Sequence, residues 1–178
     1  QYILASVYFV NHIQFMLYYD ISHLSYTDAI HILYIGLSNS NISYHIDFDA
    51  DHSRSKIIRD FVGAIFDLHS IHHPWRGRFI LITDELINNA IEHGSLPGDI
   101  DSCIIEAWVN KKNEFFITIE VHDTGCGKDA KDAKHMEEIK NDRLKRNDEK
   151  VYMHKRWRGL FHITEKLVDR LSFSISPK

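Results

Sequence analysis

At 178 residues, with 44% hydrophobic and 26% charged residues, the chain has the length and composition of one globular domain with room for an appendage. Its net charge of -4 argues against direct binding of nucleic acid as its main business. Two cysteines, Cys103 and Cys126, form neither a disulfide framework nor a Cys-x2-Cys zinc spacing, which points to a reducing, cytoplasmic compartment.

The chain begins with Gln1, so its start is expected to lie upstream. The segment from Tyr2 to Tyr19 is apolar and aromatic, but Asn11, His12 and Gln14 interrupt it near the centre, where a bilayer tolerates polar groups least. No lysine or arginine precedes Arg54, so a secretory n-region and a basic membrane anchor are both missing from this stretch. Residues 1–41 are therefore expected to form a hydrophobic extension, as buried elements or a dimer surface. The polar run Ser38-Asn39-Ser40-Asn41 is the expected boundary to a main domain over residues 42–178.

Tyr44 to Phe48 alternates in the manner of an edge strand. Asp51 or Ser53 can cap a helix running to about Leu68, on which Ile57, Ile58, Phe61, Val62, Ile65 and Phe66 recur at helical spacing. A second helix is expected from about Arg78 to His93, with Gly94 as its left-handed terminus. Ser95-Leu96-Pro97-Gly98-Asp99 turns the chain. Strands over Ser102–Val109 and Glu114–Asp123 follow, joined as a hairpin by residues 110–113. The charged stretch from Lys128 to Arg156 predicts a solvated connection with some helix. A last amphipathic helix is expected over about Gly159–Leu171, then a strand over Ser172–Ser176. The fold class is α+β, with helices beside an antiparallel or mixed sheet.

Three segments carry chemistry. On the second helix, Glu85 and Asn89 lie four residues apart and share a face, which Glu92 and His93 continue, with Leu81, Ile82, Leu86, Ala90 and Ile91 on the buried side. The amide oxygen can ligate Mg²⁺ and the carboxylate can accept a proton. In Asp123-Thr124-Gly125-Cys126-Gly127, Asp123 shares the parity of Phe115, Ile117, Ile119 and Val121, and if that parity faces the core it ends its strand pointing inward. An inward carboxylate needs a donor, for which an exocyclic amine serves, and Gly125 and Gly127 allow close approach to a ligand. Gly159 opens the last helix, where backbone N–H groups and the nearby Lys155, Arg156 and Arg158 suit a phosphate. Each segment also has a bland reading: a polar helix face, a common Asp-Thr-Gly turn, a basic linker.

Together they resemble the GHKL ATPase superfamily. Glu85…Asn89 is similar to its N box, Asp123 to Gly127 to its first glycine box, and Arg158-Gly159-Leu160-Phe161 to its second. Within that superfamily, Glu85 to His93 and Gly159 to Asp169 resemble bacterial anti-sigma-factor serine/threonine kinases most. The resemblance covers about Ile42 to Ser176. It implies a Bergerat-type fold, a two-layer sandwich whose mixed, mainly antiparallel sheet is covered on one face by helices. It implies ATP and Mg²⁺ as cofactors, Glu85 as catalytic base and Asn89 as the metal ligand. Nucleotide contacts would come from Asn89, His93, Asp123 (at the adenine amine), Gly125, Gly127, Gly159 and Leu160. Lys155, Arg156 and Arg158 would face the phosphates, and residues 128–157 would form an ATP lid. The implied partners are a sigma factor and a STAS-type anti-sigma-factor antagonist, the latter receiving the γ-phosphate on a hydroxyl; a homodimer is also in keeping with the family.

The chain departs from the family in carrying Trp157 where the second box has its earlier glycine, and in reaching Lys178 without the closing Gly-Thr strand. Two alternatives follow: a non-catalytic ATP-binding module that sequesters a partner, and the ATPase part of a two-component histidine kinase. The second lacks a His-Glu/Asp-x3-Pro pattern around His52.

Overall fold

Tyr44, Ile46 and Phe48 are fully buried, while His45 and Asp47 between them, and Asp49 after them, are only half-buried. That alternation sets one face of strand β3 (Ile42–Asp49) into a core. The structure, a computed structural model, describes residues 7–10, 14–38, 40–128, 130–145 and 171–175. Around β3 stand β1 (Val7–Val10), β2 (Gln14–Asp20), β4 (Ile100–Val109) and β5 (Phe115–His122), in the sheet order β1-β2-β3-β4-β5. The β2–β3 pair is parallel and the other three pairs are antiparallel, so the sheet is mixed and open.

A parallel pair needs a crossover, and α1 (Tyr26–Ile35) supplies it between β2 and β3. Ser25 caps this helix by accepting the Asp28 N–H at 3.1 Å. Helices α2 (Ser53–Leu68) and α3 (Trp75–Asn89) lie between β3 and β4 in sequence. Ile57, Ile58, Phe61, Val62, Ile65 and Phe66 of α2 are buried against Tyr44, Ile46 and Phe48 in one hydrophobic cluster. Ala29 and Leu33 of α1 and Ile87 of α3 join the same cluster. The fold is thus α+β, helices over one sheet.

Several expectations change here. Tyr44–Phe48 is a central strand and not an edge one, because β2 occupies its free side. The polar run 38–41 falls in the connection from α1 to β3, and Tyr19, Ile21, Ala29 and Leu33 before it share the main core. Arg54 ties the two stretches together. Only 9% exposed, it donates to Asp49 Oδ1 at 2.6 Å and to the Leu24 and Ser22 carbonyls at 2.7 Å each. At the head of α2 it is Asp51 that accepts the Ser53 N–H at 2.8 Å.

The expected hairpin β4–β5 is present, with its connection at residues 110–114, one residue longer than expected because β5 starts at Phe115. The charged stretch contains α4 (Ala133–Lys145). Residues 171–175 form no strand, and Phe173 instead donates its N–H to Glu137 Oε1 of α4 at 2.8 Å. The expected helix over Gly159–Leu171 lies outside the described residues apart from Leu171. Among the described residues no helix is long and apolar enough to cross a membrane.

Candidate functional site

Helix α3 begins earlier than its apolar pattern indicates, at Trp75, and its buried stripe is Ile82, Thr83 and Ile87. Leu81, expected on that stripe, is 48% exposed, and Leu86 is only partly buried. The Thr83 hydroxyl removes its own cost of burial by donating to the Phe79 carbonyl one turn back at 2.7 Å. This stripe leaves Asp84, Glu85, Asn88 and Asn89 half-buried at the margin of the helix layer.

Their neighbours differ in consequence. Asp84 accepts from Ser55 Oγ at 2.7 Å and from Arg59 at 3.3 Å, which makes it a structural acid between α2 and α3. Glu85 has a raised pKa, because burial penalises its charge and Asp84 and Glu92 add negative charge nearby. A carboxylate with a raised pKa is a stronger proton acceptor than an ordinary surface one. Asn88 Oδ1 lies 3.1 Å from His52 Nδ1, and Glu92 Oε1 lies 3.9 Å from His52 Nε2, so His52 touches this face from the neighbouring helix. The Asn89 side-chain nitrogen is buried with no hydrogen-bond partner among the described residues. An unpartnered buried amide is a cost that a ligand can relieve.

After Asn89 the helix widens into a π turn, Ala90–Gly94. Such turns are uncommon and recur at functional sites. The wider winding takes the next two side chains apart: Glu92 is exposed, whereas His93 is 6% exposed and turned inward. His93 therefore leaves the polar face on which helical spacing had put it, with its ring still 3.8 Å from a Glu92 carboxylate oxygen.

Gly94 is not a left-handed terminus; among the described residues the positive-φ glycines are Gly98 and Gly125. Its requirement is space. The carboxyl group of Asp123 fills the position a Cβ on Gly94 would take. Gly127 is held as closely: a Cβ there would run into the His93 carbonyl and stand 2.9 Å from the Gly94 carbonyl carbon. The Gly127 N–H donates to the Gly94 carbonyl at 3.0 Å. The π turn that ends α3 and the Asp123–Gly127 turn, about thirty residues apart in sequence, are thereby in backbone contact.

Asp123 stands one residue beyond β5 and is exposed overall. It does keep the inward parity of Val121 in that its carboxylate lies over Gly94. Its Oδ1 accepts the Gly125 N–H at 2.9 Å, and Gly125 adopts φ of 67°, the left-handed region that glycine enters without strain. The side of Asp123 that faces Gly94 holds Oδ2.

Behind this turn lies a group of residues that sequence reasoning passed over. Ser95, Asp99, Asp101 and Thr124 form a connected polar network at the base of Asp123. The signal was present. Asp101 shares the parity of Cys103, Ile105 and Ala107 on β4, all buried, so an inward acid was due there.

Lys155, Arg156, Trp157, Arg158, Gly159 and Leu160 lie outside the described residues, as does most of the far half of the expected lid. Among the described residues no group of three or more His, Cys, Asp or Glu side chains is arranged to hold a metal. Comparison with protein-family models, with curated proteins and with solved structures gave no match.

Proposed function

We propose that the chain is an ATP-binding regulatory protein of the GHKL type, a serine/threonine kinase that phosphorylates an anti-sigma-factor antagonist and restrains a sigma factor. The observation that carries this reading is the seating of Asp123 on Gly94, with Gly127 bonded to the same turn. Two segments selected for their likeness to the N box and the first glycine box are in contact, as a shared nucleotide site demands. The α+β arrangement of helices over one mixed sheet is in keeping with a Bergerat-type fold.

The residues present suit ATP and Mg²⁺. Asp123 Oδ1 already serves its own turn, and Oδ2 would accept the adenine amine. Gly94 and Gly127 keep the floor beneath that contact free of side chains. Asn89 would offer its amide oxygen to Mg²⁺, which commonly takes one or two protein oxygens and completes its shell with water and phosphate. ATP, when bound, supplies an activated phosphoryl group whose transfer depends mainly on positioning and electrostatic stabilisation. Glu85 would take the proton from the attacking hydroxyl, a role its raised pKa favours.

A second reading keeps the nucleotide and drops the chemistry: an ATP-dependent binding module. Trp157, in place of a glycine of the second box, favours it. Calorimetric titration with ATP, with and without Mg²⁺, tests what both share. Magnesium-dependent binding in the micromolar range, about -8 kcal/mol, is expected. Absence of binding would sink both. Transfer of labelled phosphate to an antagonist protein then separates kinase from module.

A further inference from the structure

The polar network under Asp123 has a definite direction, set by counting protons. The Ser95 hydroxyl has one proton and donates it to Asp101 Oδ1 at 2.5 Å. Its lone pairs are then left to accept, and they receive the Thr124 backbone N–H at 3.0 Å. The Thr124 hydroxyl also has one proton, and its shorter contact is to Asp99 Oδ2 at 2.7 Å. The 3.2 Å approach of the two hydroxyl oxygens is therefore a packing contact carrying neither proton. Asp99 Oδ2 accepts the Leu96 N–H as well, at 3.0 Å, closing the turn between Ser95 and β4.

Each member is held by something rigid. Ser95 follows the π turn and is buried. Asp101 is 1% exposed and sits in β4 opposite Phe48 of the central strand. The Asp99 carbonyl accepts the Ala50 N–H at 2.8 Å, which fastens the same turn to the end of β3. The sheet thus reaches Asp123 through Asp101, Ser95 and the Thr124 amide.

We propose that Ser95, oriented by Asp101, is a positioning residue that fixes the Asp123 carboxylate over Gly94 and so sets the preference for a purine with an amine, not a carbonyl, at its six-position. This rests on the nucleotide reading above for its ligand, but not for its geometry. Hydroxyl to Thr124 amide is one bond removed from Asp123, and Gly125 N–H to Asp123 Oδ1 fixes the other side of the residue. A carboxylate held in this way accepts from the adenine amine and repels the carbonyl that guanine has at the corresponding position.

The test uses the full chain with Ser95→Ala and Ser95→Thr, read by amide NMR and by titration with ATP and with GTP. In Ser95→Ala the Thr124 amide exchanges at least about tenfold faster and the Gly125 amide resonance moves. ATP affinity falls about tenfold while GTP affinity stays, so the preference between them narrows. Ser95→Thr, which keeps the hydroxyl, restores both. Should Ser95→Ala not fold, Ser95→Cys keeps the side-chain shape with a weak sulfur acceptor, and the same changes are expected of it. Unchanged amides in the variant overturn the proposal, and so do altered amides with an unchanged ATP-over-GTP preference. A wild-type chain that binds no ATP, with the amide changes present, sinks the nucleotide reading and retains Ser95 as the anchor of Asp123.

Discussion

The carboxyl group of Asp123 occupies the space that a Cβ on Gly94 would need. A residue at the end of the fifth strand therefore dictates which amino acid can stand at the end of the third helix. Three glycines of this site are required for different reasons, and alanine substitution separates them. Gly127→Ala drives a methyl into the His93 backbone carbonyl, which cannot swing away, and should cost about 3 kcal/mol or more. Gly94→Ala meets a side chain that can rotate, so about 1–3 kcal/mol is expected, together with displacement of Asp123. Gly125→Ala has open space and meets only the left-handed backbone at φ 67°, a cost of about 1 kcal/mol. Denaturant midpoints of the three variants check the order; a Gly125→Ala protein less stable than Gly127→Ala would contradict it.

Asp123→Asn keeps an oxygen for the Gly125 N–H, so the turn should persist and the thermal midpoint should change little. The opposite atom becomes an NH₂ group, which donates where the adenine amine also donates. Nucleotide affinity should fall by about 10- to 100-fold, the usual worth of a hydrogen bond to a charged group. Titration of the variant with ATP decides this, and wild-type affinity would remove Asp123 from the site.

Glu85 provides a test by pH. Its folded-state pKa is raised by burial first and by Asp84 and Glu92 second. The folded protein thus holds the Glu85 proton to a higher pH than the unfolded chain does. Stability from this group is fully present below the unfolded carboxylate value of about 4.3 and is lost as pH climbs through the raised folded value. Glu85→Gln should therefore melt higher than wild type at pH 7 and show no such advantage at pH 4. The same substitution should keep ATP binding and remove phosphoryl transfer, and full activity in Glu85→Gln would exclude the base role.

Arg54→Ala strips the Leu24 and Ser22 carbonyls and the Asp49 carboxylate of their donor in one step. Breaking a buried, hydrogen-bonded ion pair of this kind should cost about 3 kcal/mol. Because the bonds reach back to the segment between β2 and α1, that segment should become sensitive to proteolysis at the same time. A variant with wild-type stability would show that residues before 38 hold to the sheet without Arg54.

The cysteines should differ by an order of magnitude or more in reactivity. Cys103 is buried on β4 with its thiol pushed well up by burial, and Cys126 is exposed in the glycine-containing turn. A colorimetric thiol reagent should find one reactive group in the native protein and two after unfolding, and saturating ATP should slow the native reaction. Two fast thiols in the native state would contradict the burial of Cys103.

The extents of α2 and of the β4–β5 hairpin were legible in the sequence, because burial on one face imposes periods of 3.6 and 2 that survive in the residue order. So was the chemical character of Glu85, Asn89 and Asp123, since carboxylate and amide bring their chemistry with them. The place of β3 in the sheet was not legible. Strand position depends on which other segment supplies a partner, and β2 comes from a stretch whose apolar run has no strict alternation. The reason for Gly94 was equally hidden, for glycine at a helix end reads as a terminus whether the need is a positive φ or an absent Cβ. Only tertiary contact separates the two, because the group that excludes the Cβ arrives from Asp123 twenty-nine residues later. Likewise Ser95 and Asp101 look like turn and strand residues until the Thr124 amide is brought to them. Local chemistry and period belong to the sequence; the partner of each group is decided by packing, which brings distant segments within hydrogen-bonding reach.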